Sequence, residues 1–204
     1  MVLYWMVWVA VRIWYFGILR VRLEGVGHLP RRGGYVLCSN HISWQDPMLL
    51  GAAMPKQVHF MAKAEAFASP VGGLILRVVG AFPVRRHTAD RGAIRRALGL
   101  LHTGKPVVVF PEGTRSRDGR LGQAEPGAAL LALWSGSDVV PVGISGRYRP
   151  GQLRIRVGAP FRLEHNGRAS AQDLQRMAQE EIMGAVRKLV SDGRDRARIA
   201  PGPA

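Results

Sequence analysis

The sequence is short of cysteine, of acidic residues and of lysine. Among its 204 residues there is one cysteine, and 29 Lys and Arg side chains stand against 14 Asp and Glu. A single cysteine excludes a disulfide within the chain and fits a reducing compartment. The deficit of acidic residues leaves a net charge of +15, nearly all of it from arginine. A positive net charge of this size implies a polyanionic partner, either a nucleic acid or an anionic membrane surface.

Several common catalytic and cofactor-binding motifs are also missing. The chain has neither the Gly-x-Ser-x-Gly elbow of serine hydrolases nor the His-Glu-x-x-His pair of zinc proteases. Its six histidines lack metal-ligand spacing. A dinucleotide loop that would begin at Gly25 has Pro30 in place of its third glycine, and a phosphate loop that would begin at Gly99 has Pro106 in place of Ser or Thr. The sequence therefore does not support a serine hydrolase, a metal site or a nucleotide-binding loop.

The first 19 residues contain one charged side chain, Arg12, and lack the features of a secretory signal. As a helix they extend about 28 Å, barely a bilayer core, and Arg12 at the bilayer centre costs about 2.5–3.5 kcal/mol. We therefore expect a helix in one membrane leaflet, with an aromatic–arginine stripe facing outward and an aliphatic side in the acyl region. A core helix that packs on the domain is the alternative. The stripe comprises Tyr4, Trp5, Trp8, Arg12, Tyr15 and Phe16; the aliphatic side comprises Leu3, Met6, Val9, Ala10, Ile13 and Gly17.

Apolar runs alternate with helical patterns along the rest of the chain, which is typical of an α/β domain. We predict a mixed, largely parallel central sheet flanked by helices. Ser170 and Asp173 form a capping box before the last predicted helix, and Gly193 is predicted to end it. The predicted strands are residues 35–38, 58–61, 81–84, 107–110, 139–144 and 153–157, and the predicted helices include residues 47–54, 89–102 and 171–192. The expected organisation is a membrane-associated helix over residues 1–20, an α/β domain over 21–192 and a mobile basic tail over 193–204.

His41 and Asp46 stand between the first long apolar strand and the helix that Pro47 begins. Histidine is the side chain best suited to move a proton near neutral pH, and a nearby carboxylate can fix its tautomer. Residues five apart lie about 140° apart on a helix, so the pair can meet only across a turn. In the simpler interpretation Asp46 caps the helix while His41 packs passively; both roles of Asp46 are compatible. Cys38, in the strand itself, is predicted to be buried and structural.

Three further segments carry charged or unusual residues to strand ends. Residues 80–86 form a strand that ends in Arg85 and Arg86, and a guanidinium is well suited to bind phosphate. Residues 110–116 read Phe-Pro-Glu-Gly-Thr-Arg-Ser and follow the most apolar strand. Pro141 interrupts an apolar run, which predicts a bulge or an edge strand. Each segment has an ordinary explanation by itself: solvated arginines, a Pro-Gly turn or an irregular strand.

Together these segments resemble the glycerolipid acyltransferase family, in particular bacterial 1-acylglycerol-3-phosphate acyltransferases. His41 and Asp46 match the family's His-x4-Asp motif. Residues 80–86 match the second motif, 110–116 the third and 140–142 the fourth. The four motifs occur in the family's order, and the resemblance spans about residues 20–165.

The resemblance implies acyl transfer from a thioester to the free hydroxyl of 1-acylglycerol 3-phosphate, giving phosphatidic acid. His41 would act as general base and Asp46 would orient its ring. Arg86 is the leading candidate to bind the acceptor phosphate, with Arg85 and Arg115 as helpers. The resemblance also implies that Glu112 and Gly113 help to position the acceptor. No metal and no cofactor is expected, and the acyl donor would be acyl-CoA or acyl carrier protein.

Other acceptors and one other class of protein remain open. The same chemistry could act on another lysolipid, such as a lyso-ornithine lipid. A non-catalytic basic protein that binds membranes or nucleic acid would explain the charge but would leave the four motifs as coincidences. We therefore expect no nucleic-acid partner. The expected partner is the lipid bilayer, with the enzyme held by its N-terminal helix at the cytoplasmic face of the cell membrane.

Overall fold

The computed structural model describes residues 2–85, 90–116 and 121–199, which form a mixed α/β fold around one seven-stranded sheet. The strand order is β1-β7-β6-β2-β5-β3-β4. Every neighbouring pair is parallel except β6 and β7, which are antiparallel. The strands are β1 (Arg22–Glu24), β2 (Tyr35–Ser39), β3 (His59–Lys63), β4 (Ala81–Val84), β5 (Val107–Val109), β6 (Asp138–Gly146) and β7 (Leu153–Val157). The predicted sheet architecture is confirmed.

Helices cover both faces of the sheet. On one face lie α1 (Val2–Arg12), α2 (Asp46–Ala53) and α3 (Pro70–Val78). On the other lie α4 (Arg91–His102), α5 (Gly127–Ser135), α6 (Ala171–Arg176) and α7 (Met183–Ile199). π-Helical segments continue α1 over Ile13–Ile18 and join α6 to α7 over Met177–Ile182. Short 3-10 helices occur at Val26–His28 and Ala64–Phe67.

Strand β2 lies in the middle of the sheet, and both of its faces are apolar and buried. Tyr35 and Leu37 pack toward α1 and α2, while Val36 and Cys38 pack toward α5 and α7. Cys38 has no exposed surface, and burial raises the pKa of its thiol well above the usual range. The interpretation of Cys38 as a buried structural residue is therefore confirmed, since a nucleophilic cysteine needs an accessible thiolate.

The sequence predicted the long strands better than the short elements and the ends of the helices. The spans of β4 and β7 and the capping box of Ser170 and Asp173 are confirmed. The prediction that Gly193 ends the last helix is wrong, because α7 continues to Ile199. Sequence patterns missed three elements: β1 is short and polar, α3 contains two glycines, and α5 is apolar around most of its circumference.

Pro141 was predicted to mark a bulge or an edge strand; β6 is an interior strand, so it is not an edge, but the pairing on the β7 side is irregular at this residue. The proline is tolerated because β6 changes partner at this point. Its antiparallel pairing with β7 begins at Val142, and Val139 instead forms a bridge with Phe161. Between these two pairings the carbonyl of Pro141 accepts a hydrogen bond from the Gly158 N–H at 2.8 Å. The missing N–H of Pro141 therefore falls in a local break of the ladder.

Most of the aromatic–arginine stripe of the N-terminal helix faces the domain, with Trp5 as the exposed exception, so its predicted outward orientation is wrong. The indole N–H of Trp8 donates to the Gly51 carbonyl at 3.1 Å, and Arg12 Nη1 donates to the Ala52 carbonyl at 2.6 Å. These carbonyls belong to the last turn of α2, where a helix has no internal donors left. Tyr15 is also buried, with 2% of its surface exposed. The side-chain donors of Trp8 and Arg12 thus bind carbonyls of α2.

The opposite side of the N-terminal helix is exposed and apolar. Met6, Val9, Ile13 and Ile18 each expose between 47% and 64% of their surface. This side includes most of the described residues that the sequence assigned to the acyl region. Within the described part of the chain, no helix combines the length and the apolar character needed to cross a bilayer.

Candidate active site

The carboxyl ends of four parallel strands bring the predicted site residues to one edge of the sheet. Strands β2, β5, β3 and β4 are neighbours in this order and run in the same direction. His41 follows β2, Glu112 and Arg115 follow β5, and Arg85 follows β4. In open α/β sheets this edge is where ligands bind.

His41 and Asp46 form the hydrogen-bonded pair that the sequence predicted. His41 Nδ1 lies 2.7 Å from Asp46 Oδ2, and both residues are buried. Because a carboxylate can only accept, Nδ1 carries the hydrogen, and Nε2 is the ring nitrogen that remains for proton transfer. This arrangement is the one that a general base acting through Nε2 requires.

Asp46 stabilises the turn before α2 and does not cap the helix, so the predicted capping role is wrong. Besides His41, its Oδ2 accepts the backbone N–H groups of Ile42 and Ser43, each at 2.7 Å. The carboxylate thus points back along the chain. It folds residues 41–46 into a compact turn, and this turn places the ring of His41 against the carboxylate.

Glu112 holds the backbone of His41. Its Oε1 accepts the His41 N–H at 3.0 Å and its Oε2 accepts the Gly122 N–H at 2.8 Å, and the residue is 8% exposed. Both carboxylate oxygens therefore have partners within the chain. The contact with an acceptor that the resemblance implied for Glu112 stays a prediction, as it does for Gly113. Gly113 lies in the turn after β5 with a φ of 65°, a value that favours glycine.

Three further contacts fix the position of His41. The ring of Phe110 stacks on the imidazole with the centroids 4.1 Å apart. The His41 carbonyl accepts the Ser116 N–H at 2.8 Å. Asn40 pairs with both backbone atoms of Ile144: its amide nitrogen donates to the carbonyl at 2.9 Å and its oxygen accepts the N–H at 2.7 Å. The histidine is thus held from β5 and from β6.

Sequence reasoning missed a tyrosine that completes the site. The hydroxyl of Tyr148 donates to Asp46 Oδ1 at 2.5 Å. Its ring forms an edge-to-face contact with Tyr15, with the centroids 6.4 Å apart, and the Tyr15 hydroxyl donates to Gln45 at 3.3 Å. Burial, together with the charge of Asp46, raises the pKa of Tyr148 well above its usual range and that of Tyr15 to about 12. Both hydroxyls therefore remain donors at neutral pH.

Of the three arginines predicted to bind phosphate, two lie in the described part of the chain. Arg85 and Arg115 are exposed and lie after β4 and β5 respectively. The backbone N–H of Arg85 donates to Asp90 at 2.9 Å. That hydrogen bond and a second from Ala93 lower the pKa of the Asp90 carboxyl. Arg86, the leading candidate, lies outside the described residues, so its role stays a prediction.

A family model described as Acyltransferase matches residues 20–145, more than half of the chain. The chain belongs to the acyltransferase family. The resemblance drawn from the four motifs is confirmed, and the His41–Asp46 pair lies within the matched region.

Individual acyltransferases match with moderate identity. The 1-acyl-sn-glycerol-3-phosphate acyltransferase of Bacillus subtilis is 32% identical over 149 residues, which cover 69% of this chain and 73% of that protein. A chloroplastic enzyme of the same name from Arabidopsis thaliana is 34% identical, and the match covers 68% of this chain but 39% of the relative. The lyso-ornithine lipid O-acyltransferase of Pseudomonas aeruginosa is 33% identical over 178 residues, which cover 85% of this chain and 66% of that protein.

The fold also matches a solved acyltransferase structure. The crystal structure of the 1-acyl-sn-glycerophosphate acyltransferase from Thermotoga maritima aligns with a TM-score of 0.67 and 24% identity. The alignment covers 91% of this chain and 79% of that chain. At this identity the likeness supports the α/β acyltransferase fold.

Proposed function

We propose that this acyltransferase moves a fatty acyl group from a thioester to the free hydroxyl of 1-acylglycerol 3-phosphate, forming phosphatidic acid. One observation carries the proposal: His41 Nδ1 is bound to the buried carboxylate of Asp46 at 2.7 Å, within the region that the family model matches. The names of the Bacillus and Arabidopsis relatives support this acceptor.

The proposed reaction uses the substrate hydroxyl as nucleophile. Nε2 of His41 removes the hydroxyl proton as the oxygen attacks the thioester carbonyl carbon. Asp46 stabilises the imidazolium that forms. The tetrahedral intermediate then collapses, the C–S bond breaks, and the imidazolium returns a proton to the leaving thiolate. This scheme needs no metal and no cofactor, and either acyl-CoA or acyl carrier protein can supply the thioester.

Arginines at the carboxyl edge would bind the acceptor phosphate. We assign this role to Arg86, with Arg85 and Arg115 as helpers, because a guanidinium binds phosphate with two parallel hydrogen bonds. Arg115 follows β5, the strand beside that of His41, whereas Arg85 follows β4, which β5 and β3 separate from β2 at the same edge of the sheet; both arginines are exposed. Gly113 would help to shape the acceptor site directly, and Glu112 would do so through the backbone of His41.

The enzyme would work at the cytoplasmic face of the cell membrane. The apolar side of the N-terminal helix, with Ile13 at 59% exposure, would enter the acyl region of one leaflet. A net charge of +15 favours an anionic lipid surface. The acceptor is itself a lipid, so an enzyme held at the interface reaches it without extracting it into water.

The proposal predicts that His41→Ala abolishes phosphatidic acid formation. Loss of a general base reduces turnover by about 100- to 10,000-fold. Purified wild-type and variant proteins would be assayed with 1-acylglycerol 3-phosphate and both thioester donors. His102→Ala removes an exposed histidine at the end of α4 and is the matched control. A His41→Ala protein that is folded and as active as the control would contradict the mechanism.

Arg86→Ala should raise the KM for 1-acylglycerol 3-phosphate about tenfold or more and change kcat less, because the phosphate is bound equally in ground and transition states. Arg95→Ala, at another arginine close in the sequence, is the control. A KM equal to that of the control would remove Arg86 from the phosphate site.

A lyso-ornithine lipid is the second candidate acceptor. The Pseudomonas relative that bears this name matches 85% of this chain, more than the Bacillus enzyme does. Ornithine lipids carry no phosphate, so the arginines favour the first acceptor. Assaying both lysolipids with the same enzyme preparation separates the two, since the preferred acceptor shows the higher kcat/KM.

A further inference from the structure

The hairpin between β6 and β7 carries a side chain into the active site. Strand β6 is parallel to β2, so its carboxyl end at Gly146 lies at the same edge of the sheet as His41. Gly146 adopts a φ of 96°, and a Cβ at this position would lie 1.8 Å from the Gln152 carbonyl oxygen. This close closure of the hairpin requires glycine. Tyr148 follows two residues later.

The N-terminal helix supports the same hairpin. The Gly151 N–H donates to the Leu19 carbonyl at 2.9 Å. The ring of Tyr148 lies edge-to-face against Tyr15, which is almost fully buried. Two elements distant in sequence thus hold the tyrosine ring in place, and its hydroxyl points to the carboxylate of Asp46.

The Tyr148 hydroxyl donates to Oδ1 of Asp46, whereas the turn of residues 41–46 donates to Oδ2. Asp46 Oδ2 accepts three hydrogen bonds, from His41, Ile42 and Ser43. Oδ1 accepts from Tyr148, 102 residues away in the sequence. Asp46 has no exposed surface, and a buried carboxylate oxygen requires a hydrogen bond; among the described residues, Tyr148 supplies the one to Oδ1.

We propose that Tyr148 is a positioning residue for the acyl transfer: its hydroxyl fixes the orientation of the Asp46 carboxylate and sets how strongly that carboxylate attracts the proton of His41. The inference rests on the proposed function, because it assigns a role within the same base. A donor on Oδ1 withdraws negative charge from Oδ2. When the donor is removed, Oδ2 attracts the imidazolium more strongly, so the imidazolium persists to higher pH.

The titratable groups around the pair are few in the described part of the chain. Tyr148 and Tyr15 approach from the hairpin and the N-terminal helix, and Glu112 approaches the backbone of His41 from the loop after β5. The two tyrosines remain protonated across the neutral range because burial, and then Asp46, raises the pKa of each. A change in the acid limb of the pH–rate profile therefore does not come from either tyrosine hydroxyl.

The test compares Tyr148→Phe with Tyr15→Phe. The two variants remove one hydroxyl each from a pair of rings in contact, but Tyr15 donates to Gln45 and not to Asp46. For Tyr148→Phe we expect kcat to fall about tenfold, the value of one hydrogen bond to an ionised group, with little change in either KM. We expect the acid limb of kcat/KM to move up by roughly one pH unit. Tyr15→Phe should keep the wild-type acid limb.

An NMR titration gives a readout that does not depend on the acceptor. In protein labelled with 15N-histidine, the His41 signals are assigned by their absence from His41→Gln, and their midpoint should rise in Tyr148→Phe alone. If wild type fails to acylate lysophosphatidate but the midpoint rises, the proposed acceptor is wrong and the role of Tyr148 stands. If Tyr148→Phe and Tyr15→Phe titrate like wild type, or shift equally, the role of Tyr148 is refuted.

Discussion

The two acidic residues of the active site bind different parts of the same histidine. Asp46 binds the ring of His41, while Glu112 binds its backbone N–H and that of Gly122. Asp46 therefore acts on the protonation of the base, whereas Glu112 acts on its location. This division separates the effects that changes at each position should have on kinetics.

Glu112→Gln should lower kcat about 10- to 100-fold and leave the KM for lysophosphatidate within about twofold of wild type. The amide has one acceptor oxygen where the carboxylate had two, so either His41 or Gly122 would face a donor. Steady-state kinetics on both substrates measures the effect, with the exposed Glu125 changed to Gln as control. A raised KM with unchanged kcat would instead indicate that Glu112 contacts the acceptor.

The identities of the residues predicted the chemistry of this site but not the contacts that hold the catalytic residues in place. The spacing of His41 and Asp46 was sufficient to predict a pair across a turn. The contacts of Tyr148 with Asp46 and of Asn40 with Ile144 join residues more than 100 positions apart. They depend on the register that sets β6 beside β2. A pattern within one segment contains no information about that register.

At the scale of elements, the N-terminal helix has two sides with separate tasks. Its inner side donates to the last carbonyls of α2, through Trp8 and Arg12, and its outer side is apolar and exposed. The amphipathic pattern was visible in the sequence, yet its orientation was predicted wrongly. The carbonyls of α2 that attract the arginine become visible only when the two helices are placed together.

Arg12→Met should lower the free energy of unfolding by about 1–2 kcal/mol, because it removes a charged donor from a helix C-terminus. The adjacent Ile13→Ser, on the outer side, should leave stability within about 0.5 kcal/mol and weaken binding to anionic vesicles. Chemical denaturation and vesicle co-sedimentation measure the two effects. Equal losses of stability in both variants would contradict the two-sided description.

At the scale of the whole molecule, the arrangement of parallel strands decides which residues meet. Alternating apolar runs predicted the α/β class and most strands, because burial on both faces leaves a strong pattern in strands such as β2. The position of β1 and the hairpin of β6 and β7 depend on tertiary contacts. The continuation of α7 past Gly193 also differs from the sequence prediction. Gly193, which predicted the end of the last helix, lies within α7.

Stability of the whole domain should fall on acidification in part through His59. This half-buried histidine at the start of β3 has its pKa lowered by burial and by the nearby charges of Lys105 and Arg96. Its folded pKa lies below the unfolded value of about 6.5, so unfolding takes up a proton below that pH. His59 therefore contributes stability that is present above pH of about 6.5 and is lost as the pH falls toward its folded pKa.

His59→Gln should accordingly lose less stability than wild type between pH 7 and pH 5, as measured by thermal unfolding across that range. His102→Gln changes an exposed histidine and should keep the wild-type slope. Parallel curves for all three proteins would show that His59 takes no part in acid unfolding.

The contact between the N-terminal helix and α2 also bears on how chimeric enzymes of this family should be built. The helix shares hydrogen bonds with Gly51 and Ala52, and its Tyr15 touches both Gln45 and the ring of Tyr148. Replacing the N-terminal helix up to residue 20 with that of another protein would remove these contacts. A functional exchange has to transplant the helix, α2 and the β6–β7 hairpin as one unit.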